Sequence, residues 1–234
     1  MSETHATSGR PRGRRRPPFY LVLVCLIGLL VVASILSAIR TSGPPRALNL
    51  LGLLVSLLAI SAAGEAPRLR GAVLALAVVS AIVNVGGLWH PMGLARQPGI
   101  AVSLAFLALT TLILFTGVMR SKEVTGDVIA GAVATYLMVG LTWAFAYGLA
   151  ESIWPGGISA AGTPLDDGGP HTLLYFSYTT LMTIGYGDVV PIHPVTRILA
   201  VLEGLAGVGF TTIVLAFLVA LRVLSASQSD NRRG

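Results

Sequence analysis

Charge and cysteine are what this 234-residue sequence has least of. Charged residues make up 11% of it, where ordinary soluble domains carry about 25%. Hydrophobic residues make up 54%. Such a chain cannot clothe itself in a polar surface, which excludes an ordinary soluble domain and points to a protein that crosses a membrane repeatedly. The single cysteine, Cys25, excludes an intrachain disulfide and has no partner for a metal site, so it reads as a small packed or lipid-facing residue. No glycine-rich phosphate loop, catalytic-triad spacing or metal-ligand cluster stands anywhere in the chain. No enzyme activity and no cofactor are therefore expected.

The charge that is present is unevenly placed. The net charge is +6, and "RPRGRRRPP" puts Arg10, Arg12, Arg14, Arg15 and Arg16 just before an apolar run. Basic residues beside a membrane span set topology and contact lipid headgroups, so membrane lipids are the expected partner and nucleic acid is not. The apolar stretch after them is too long for a signal peptide, and no clean small-residue cleavage site follows.

About 20 apolar residues cross a bilayer as a helix. Six segments serve: residues 19–39, 47–63, 71–89, 100–119, 128–150 and 198–221. The first five are joined by short links rich in proline, glycine and charge, as turns outside the hydrocarbon should be. Asp127 is placed to cap the helix at 128–150. With six spans, twelve lysines and arginines fall on the side of both termini and four on the other, the four being Arg40, Arg46, Arg96 and Arg197. That bias puts both ends in the cytoplasm and the long link between the last two spans outside.

That link ends in an anomaly. "HTLLYFSYTTLMT", residues 171–183, is apolar but too short to cross, so it reads as a re-entrant helix. "IGYGD" follows at once. Irregular backbone at membrane depth is tolerated only when buried in protein or lining water. Gly185 and Gly187 can take backbone angles closed to other residues. Alternating left- and right-handed conformations would turn successive carbonyls to one side, a row able to replace the water around a dehydrated cation. Thr183 adds a hydroxyl at the inner end of that row, and Tyr186 turns its ring away to brace the strand.

Thr183-Ile184-Gly185-Tyr186-Gly187-Asp188 resembles the selectivity filter of potassium channels, whose TVGYG loops do this work. The region from residue 127 to 225 is similar to the two-helix pore module of small prokaryotic potassium channels. The resemblance implies an all-α membrane protein: six transmembrane helices, a re-entrant pore helix and an extended filter. It implies K⁺ coordinated by carbonyls of Thr183, Ile184, Gly185 and Tyr186, with Gly187 completing the filter. Tyr175 and Phe176 sit where the family has an aromatic pair and would form a cuff around Tyr186. Asp188, Thr179 and Thr180 would support the filter, Thr179 standing where some relatives keep a glutamate. Gly207 falls where many inner helices carry a hinge glycine, and Gly204 and Gly209 flank it. One filter per chain implies a homotetramer in the plasma membrane.

Under this resemblance the chain divides into a basic cytoplasmic tail at 1–18, four transmembrane helices at 19–119, the pore domain at 127–225 and a short tail at 226–234. The four helices lack the arginines a voltage sensor needs, since none stands between Arg96 and Arg120. Asn49 and Asn84 there need only interhelical hydrogen bonds. The tail after Arg222 is too short for a ligand-binding gating domain.

Several charges keep two readings. Glu203, inside the last span, either tunes the pore field and holds the filter from behind, or bonds the pore helix or a neighbouring subunit, and it need not be charged. Arg197 meets headgroups or a carboxylate such as Asp188. Asp166 and Asp167 either concentrate cations at the mouth or are simply solvated. A potassium channel subunit is the leading functional reading. A weakly selective cation channel and a non-conducting scaffold or sensor with a pore-like fold are the alternatives.

Overall fold

The computed structural model describes residues 19–39, 96–160, 162–164 and 169–230, together with helical positions 71, 75, 76, 78, 79 and 82. The elements run α1 (Phe19–Ile39), α2 (Arg96–Met119), α3 (Gly126–Ile153), β1 (Ile158–Ala160), β2 (Thr163–Pro164), α4 (Pro170–Leu181), β3 (Val189–Pro191) and α5 (Pro194–Asp230). Among the described residues, three helices are long and apolar enough to cross a membrane: Gln97–Met119, Gly126–Ile153 and Pro194–Val223. These are the expected fourth, fifth and sixth spans. The span expected at 47–63 lies outside the described residues, and so do Asn49, Asn84, Asp166, Asp167 and the N-terminal arginines.

The centre of the molecule is α3, which touches α1, α2, α4 and α5. Its sequence explains why. "GDVIAGAVATYLMVGL" sets small residues among large ones, which lets neighbouring backbones approach closely. A Cβ on Gly131 would lie 2.9 Å from the Phe19 ring and 3.1 Å from Val118, so α1 and α2 both close on that glycine. Further along, Leu26 and Leu29 of α1, Leu107 of α2, and Met138 and Leu141 of α3 form one buried cluster. Val118 of α2, Val128 and Ala132 of α3, and Val214 of α5 form another. Two buried threonines bond back to carbonyls of their own helix, Thr110 to Phe106 and Thr135 to Gly131, so their hydroxyls are satisfied without water.

The start of α3 corrects one expectation. Asp127 does not cap this helix; Thr125 does. Thr125 is extended (φ −109°, ψ 161°) and its hydroxyl accepts the Val128 N–H at 3.3 Å. An N-cap must lie outside the helix with extended backbone, and Asp127 is already within the first turn. Its carboxylate instead accepts the Tyr20 N–H at 3.0 Å, and so ties the first turn of α1 to that of α3. Thr125→Ala is expected to cost about 1 kcal/mol, read as a lower unfolding temperature in detergent.

The other difference from an all-helical reading is a small antiparallel sheet of order β2-β1-β3 on the link before and after α4. Ile158 pairs with Pro191, Ser159 with Val190 and Ala160 with Val189. Gly156 (φ 76°) and Gly162 (φ 82°) make the bends around β1, where a left-handed backbone favours glycine. The Gly157 carbonyl accepts the Ile192 N–H (2.8 Å), the His193 N–H (3.1 Å) and the Thr196 hydroxyl (2.7 Å). The link from α3 is thereby clamped onto the start of α5.

Candidate functional site

The site begins at the C-terminal end of α4. Pro170 stands in its first turn, where a missing N–H costs nothing. Leu181 ends it, and the chain turns away through Met182 (φ −82°, ψ 3°). The helix nonetheless keeps hold of residues 183–185. The Thr183 N–H donates to the Thr180 carbonyl (3.0 Å), and those of Ile184 (2.8 Å) and Gly185 (3.2 Å) both donate to the Thr179 carbonyl. In a trans peptide the N–H and the preceding carbonyl point oppositely, and no described peptide is cis. The carbonyls of Met182, Thr183 and Ile184 therefore point away from α4. Thr179 and Thr180 act here through their main-chain oxygens.

Alternation continues the pattern. Thr183 (φ 57°), Gly185 (φ 56°) and Gly187 (φ 79°) are left-handed, while Ile184 and Tyr186 between them are not. Positive φ at Gly185 and Gly187 is what their residue type suggests. The residue at Thr183 is the expected one, but its positive φ is not: a β-branched residue there is strained, and residue type alone gives no hint of it. The available signal was the register, since counting back two from Gly185 lands on Thr183. Strained backbone of this kind persists where surrounding structure imposes it, and it clusters at functional sites.

The outer end is held by side chains. The Tyr175 hydroxyl donates to Asp188 Oδ2 at 2.8 Å, and the Tyr175 and Tyr186 rings lie parallel within 4° at 6.5 Å. Asp188 Oδ1 accepts its neighbour's N–H, that of Val189, at 3.1 Å. Within the chain, Phe176 packs away from Tyr186. It is 4% exposed and packs edge-on against Tyr147 at 4.9 Å, with Ile158, Leu173 and Val189 around it. Consecutive residues of a helix point about 100° apart, so with Tyr175 stacked on Tyr186 the ring of Phe176 is turned to α3 and the sheet. Arg197 donates through Nε to the Pro191 carbonyl at 3.2 Å, at the end of β3.

Behind α4 the packing is polar and close. The Tyr136 hydroxyl donates to the Leu181 carbonyl (3.0 Å) and the Tyr178 hydroxyl to the Leu137 carbonyl (2.7 Å). Glu203, on α5, is fully buried; its Oε1 lies 2.5 Å from the Ser177 hydroxyl and its Oε2 2.7 Å from that of Tyr147. The three α5 glycines differ. A Cβ on Gly204 or Gly209 would meet nothing within 4 Å, whereas one on Gly207 would collide with the Leu181 carbonyl. Gly207 thus lets α5 cross directly against the end of α4, and α5 runs unbroken through all three positions.

The residues expected to form a filter lie on the surface of the chain. Residues 182–188 are all exposed, Tyr186 at 70%. Val201, Leu205, Val208, Leu215 and Val219 of α5 are exposed as well. Only 11% of its most apolar window is buried, against 50% for α3, so α5, like the loop at 182–188, is left largely uncovered by the rest of the chain.

Comparison with known proteins falls on this same segment. Residues 128–222 match the family model described as "Ion channel". Over 46 residues the chain is 50% identical to "Two-pore potassium channel 5" of Arabidopsis thaliana. That stretch is 20% of this chain and 11% of the plant protein, so the chain matches only a small part of that relative's length. No solved structure matches. The segment that resembles ion channels starts in α3, ends in α5, and encloses the whole of the strained loop with the helix that holds it.

Proposed function

We propose that the chain is one subunit of a homotetrameric potassium channel, in which four copies bring residues 183–187 around a common axis. The observation that carries this reading is the alternation at Thr183, Gly185 and Gly187, with the N–H groups of residues 183–185 tied back to α4. One chain supplies one column of carbonyls, and a cation needs them on all sides, as in filters built from four loops. Carbonyls of Thr183, Ile184, Gly185 and Tyr186 then replace the water that K⁺ sheds, and the ion passes down its gradient. K⁺ is cargo here, not a cofactor. In this arrangement α4 is the re-entrant pore helix, α3 the outer helix and α5 the inner, pore-lining helix. Six spans, both termini in the cytoplasm of a plasma membrane, and lipid around the outer helices complete the proposal.

Tetramer formation accounts for the uncovered face of α5 and the filter, because neighbouring subunits would cover Tyr186 and Ile184. Purified protein in liposomes with K⁺ on one side and Na⁺ on the other tests the proposal. A reversal potential set by the K⁺ gradient is the expected result. A reversal near zero with robust current would establish instead a weakly selective cation pore, and no current under any voltage, pH or lipid would favour a non-conducting scaffold.

Tyr175→Phe offers a finer test. It removes the donor to Asp188 and keeps the ring that stacks on Tyr186. One hydrogen bond is worth about 1 kcal/mol net, so the filter should lose hold at its outer end without losing selectivity. Single-channel records should show open periods shortened severalfold at unchanged reversal potential.

A further inference from the structure

Three close contacts meet behind the pore helix. The Ser177 hydroxyl is 2.7 Å from the Gly140 carbonyl of α3 and 2.5 Å from Glu203 Oε1 of α5. The Tyr147 hydroxyl of α3 is 2.7 Å from Glu203 Oε2. Each distance is that of an O–H···O hydrogen bond, and each needs one hydrogen. Serine and tyrosine supply one hydrogen apiece. The Gly140 carbonyl can only accept, so the Ser177 hydrogen lies on that contact. The Tyr147 hydrogen lies on Oε2. Nothing remains for the Ser177–Glu203 contact unless the carboxyl itself donates. A carboxylate there would set its lone pairs and those of the Gly140 carbonyl against one hydroxyl with a single hydrogen between them.

The surroundings agree. Glu203 is fully buried, and the polar groups facing it among the described residues are Tyr136 and Tyr147 of α3 and Ser177 and Tyr178 of α4. None of them carries a positive charge. A buried carboxylate without a cation is costly, whereas a neutral acid with two hydrogen-bonded oxygens is not.

We infer that Glu203 is a neutral carboxylic acid whose O–H donates a hydrogen bond to the Ser177 hydroxyl, and that it acts as a positioning residue keying the pore helix to the inner and outer helices at once. The relay runs from Tyr147 into Glu203, from Glu203 into Ser177 and from Ser177 into Gly140, each hydrogen pointing onward. Thr179, whose carbonyl holds Ile184 and Gly185, lies two residues beyond Ser177 on the same helix. A shift of the key therefore moves the base of the proposed filter. The functional part of this inference rests on the channel reading; the protonation does not.

The test compares infrared spectra of the reconstituted full-length protein and Glu203→Gln. Glutamine keeps the shape, donates to Ser177 through its amide and accepts from Tyr147. Wild type minus variant should contain the carbonyl stretch of a protonated carboxylic acid, and Glu203→Gln should retain wild-type K⁺/Na⁺ selectivity, while Glu203→Ala should lose it. A difference spectrum showing only ionised carboxylate bands would overturn the inference, as would loss of selectivity in a folded Glu203→Gln. Should Glu203→Gln not fold, Ser177→Ala serves in its place. It removes the acceptor, so the acid band should move to higher frequency, and an unmoved band would count against the assignment. A channel that proved not to conduct at all would leave the spectral result standing, so the two claims fail separately.

Discussion

Gly185→Ala should reduce K⁺ flux from proteoliposomes to the level of protein-free vesicles. Gly185 sits at φ 56°, where the chain's own atoms leave open space around a Cβ, so collision within the subunit is not the cause. The backbone is. A left-handed conformation costs a residue with a Cβ about 1–2 kcal/mol, and the proposed tetramer would have four such positions. The chain escapes that cost by returning to negative φ, and this rotates the flanking peptide planes. On the proposed reading, carbonyls that faced the axis then turn aside, and the cation loses a ring of ligands. The variant should still fold, because the helices and their clusters lie elsewhere, so it should elute like wild type on size exclusion. Wild-type flux from Gly185→Ala would mean that the alternating loop is not the ion path.

The three glycines of α5 should respond with opposite signs. Replacing a helical glycine by alanine where the new methyl meets nothing stabilises by up to ~1 kcal/mol. Gly204→Ala and Gly209→Ala, with nothing within 4 Å of the new methyl, should therefore be neutral or slightly stabilising in thermal melts in detergent. Gly207→Ala drives a methyl into the Leu181 carbonyl, which is backbone and also accepts from Tyr136. Overpacking of this kind costs about 1–3 kcal/mol. Here the strain also pushes the end of α4 and the residues it holds. Gly207→Ala should thus melt at a lower temperature and yield less assembled protein. If Gly207 served only as a hinge, its alanine variant would assemble as well as the other two and differ only in gating.

Much of the fold was legible in the sequence because the bilayer and the glycines impose simple rules. A run such as 100–119 has nowhere to go but across, and α2 occupies Arg96–Met119. Gly185 and Gly187 announce positive φ by lacking a Cβ. The features that escaped the sequence did so for physical reasons. The sheet pairs Ile158 with Pro191, more than thirty positions apart, through strands of two or three residues that are too short to show an alternating pattern. "TGD" at 125–127 holds two capping residue types, and only the extended backbone at Thr125 chooses between them. The direction of Phe176 is fixed by helix geometry once Tyr175 is assigned to Tyr186, yet adjacent aromatics look like one cluster on paper. The partners of Glu203 lie 26 and 56 residues away, on two other helices, so no spacing rule could name Ser177 and Tyr147.

A density map of the protein reconstituted in K⁺ is the most direct trial of the central claim. The account predicts four chains about one axis, with a file of ions at the levels of the Thr183, Ile184, Gly185 and Tyr186 carbonyls. Isolated protomers, or filter loops facing lipid or bulk water away from any symmetry axis, would contradict it.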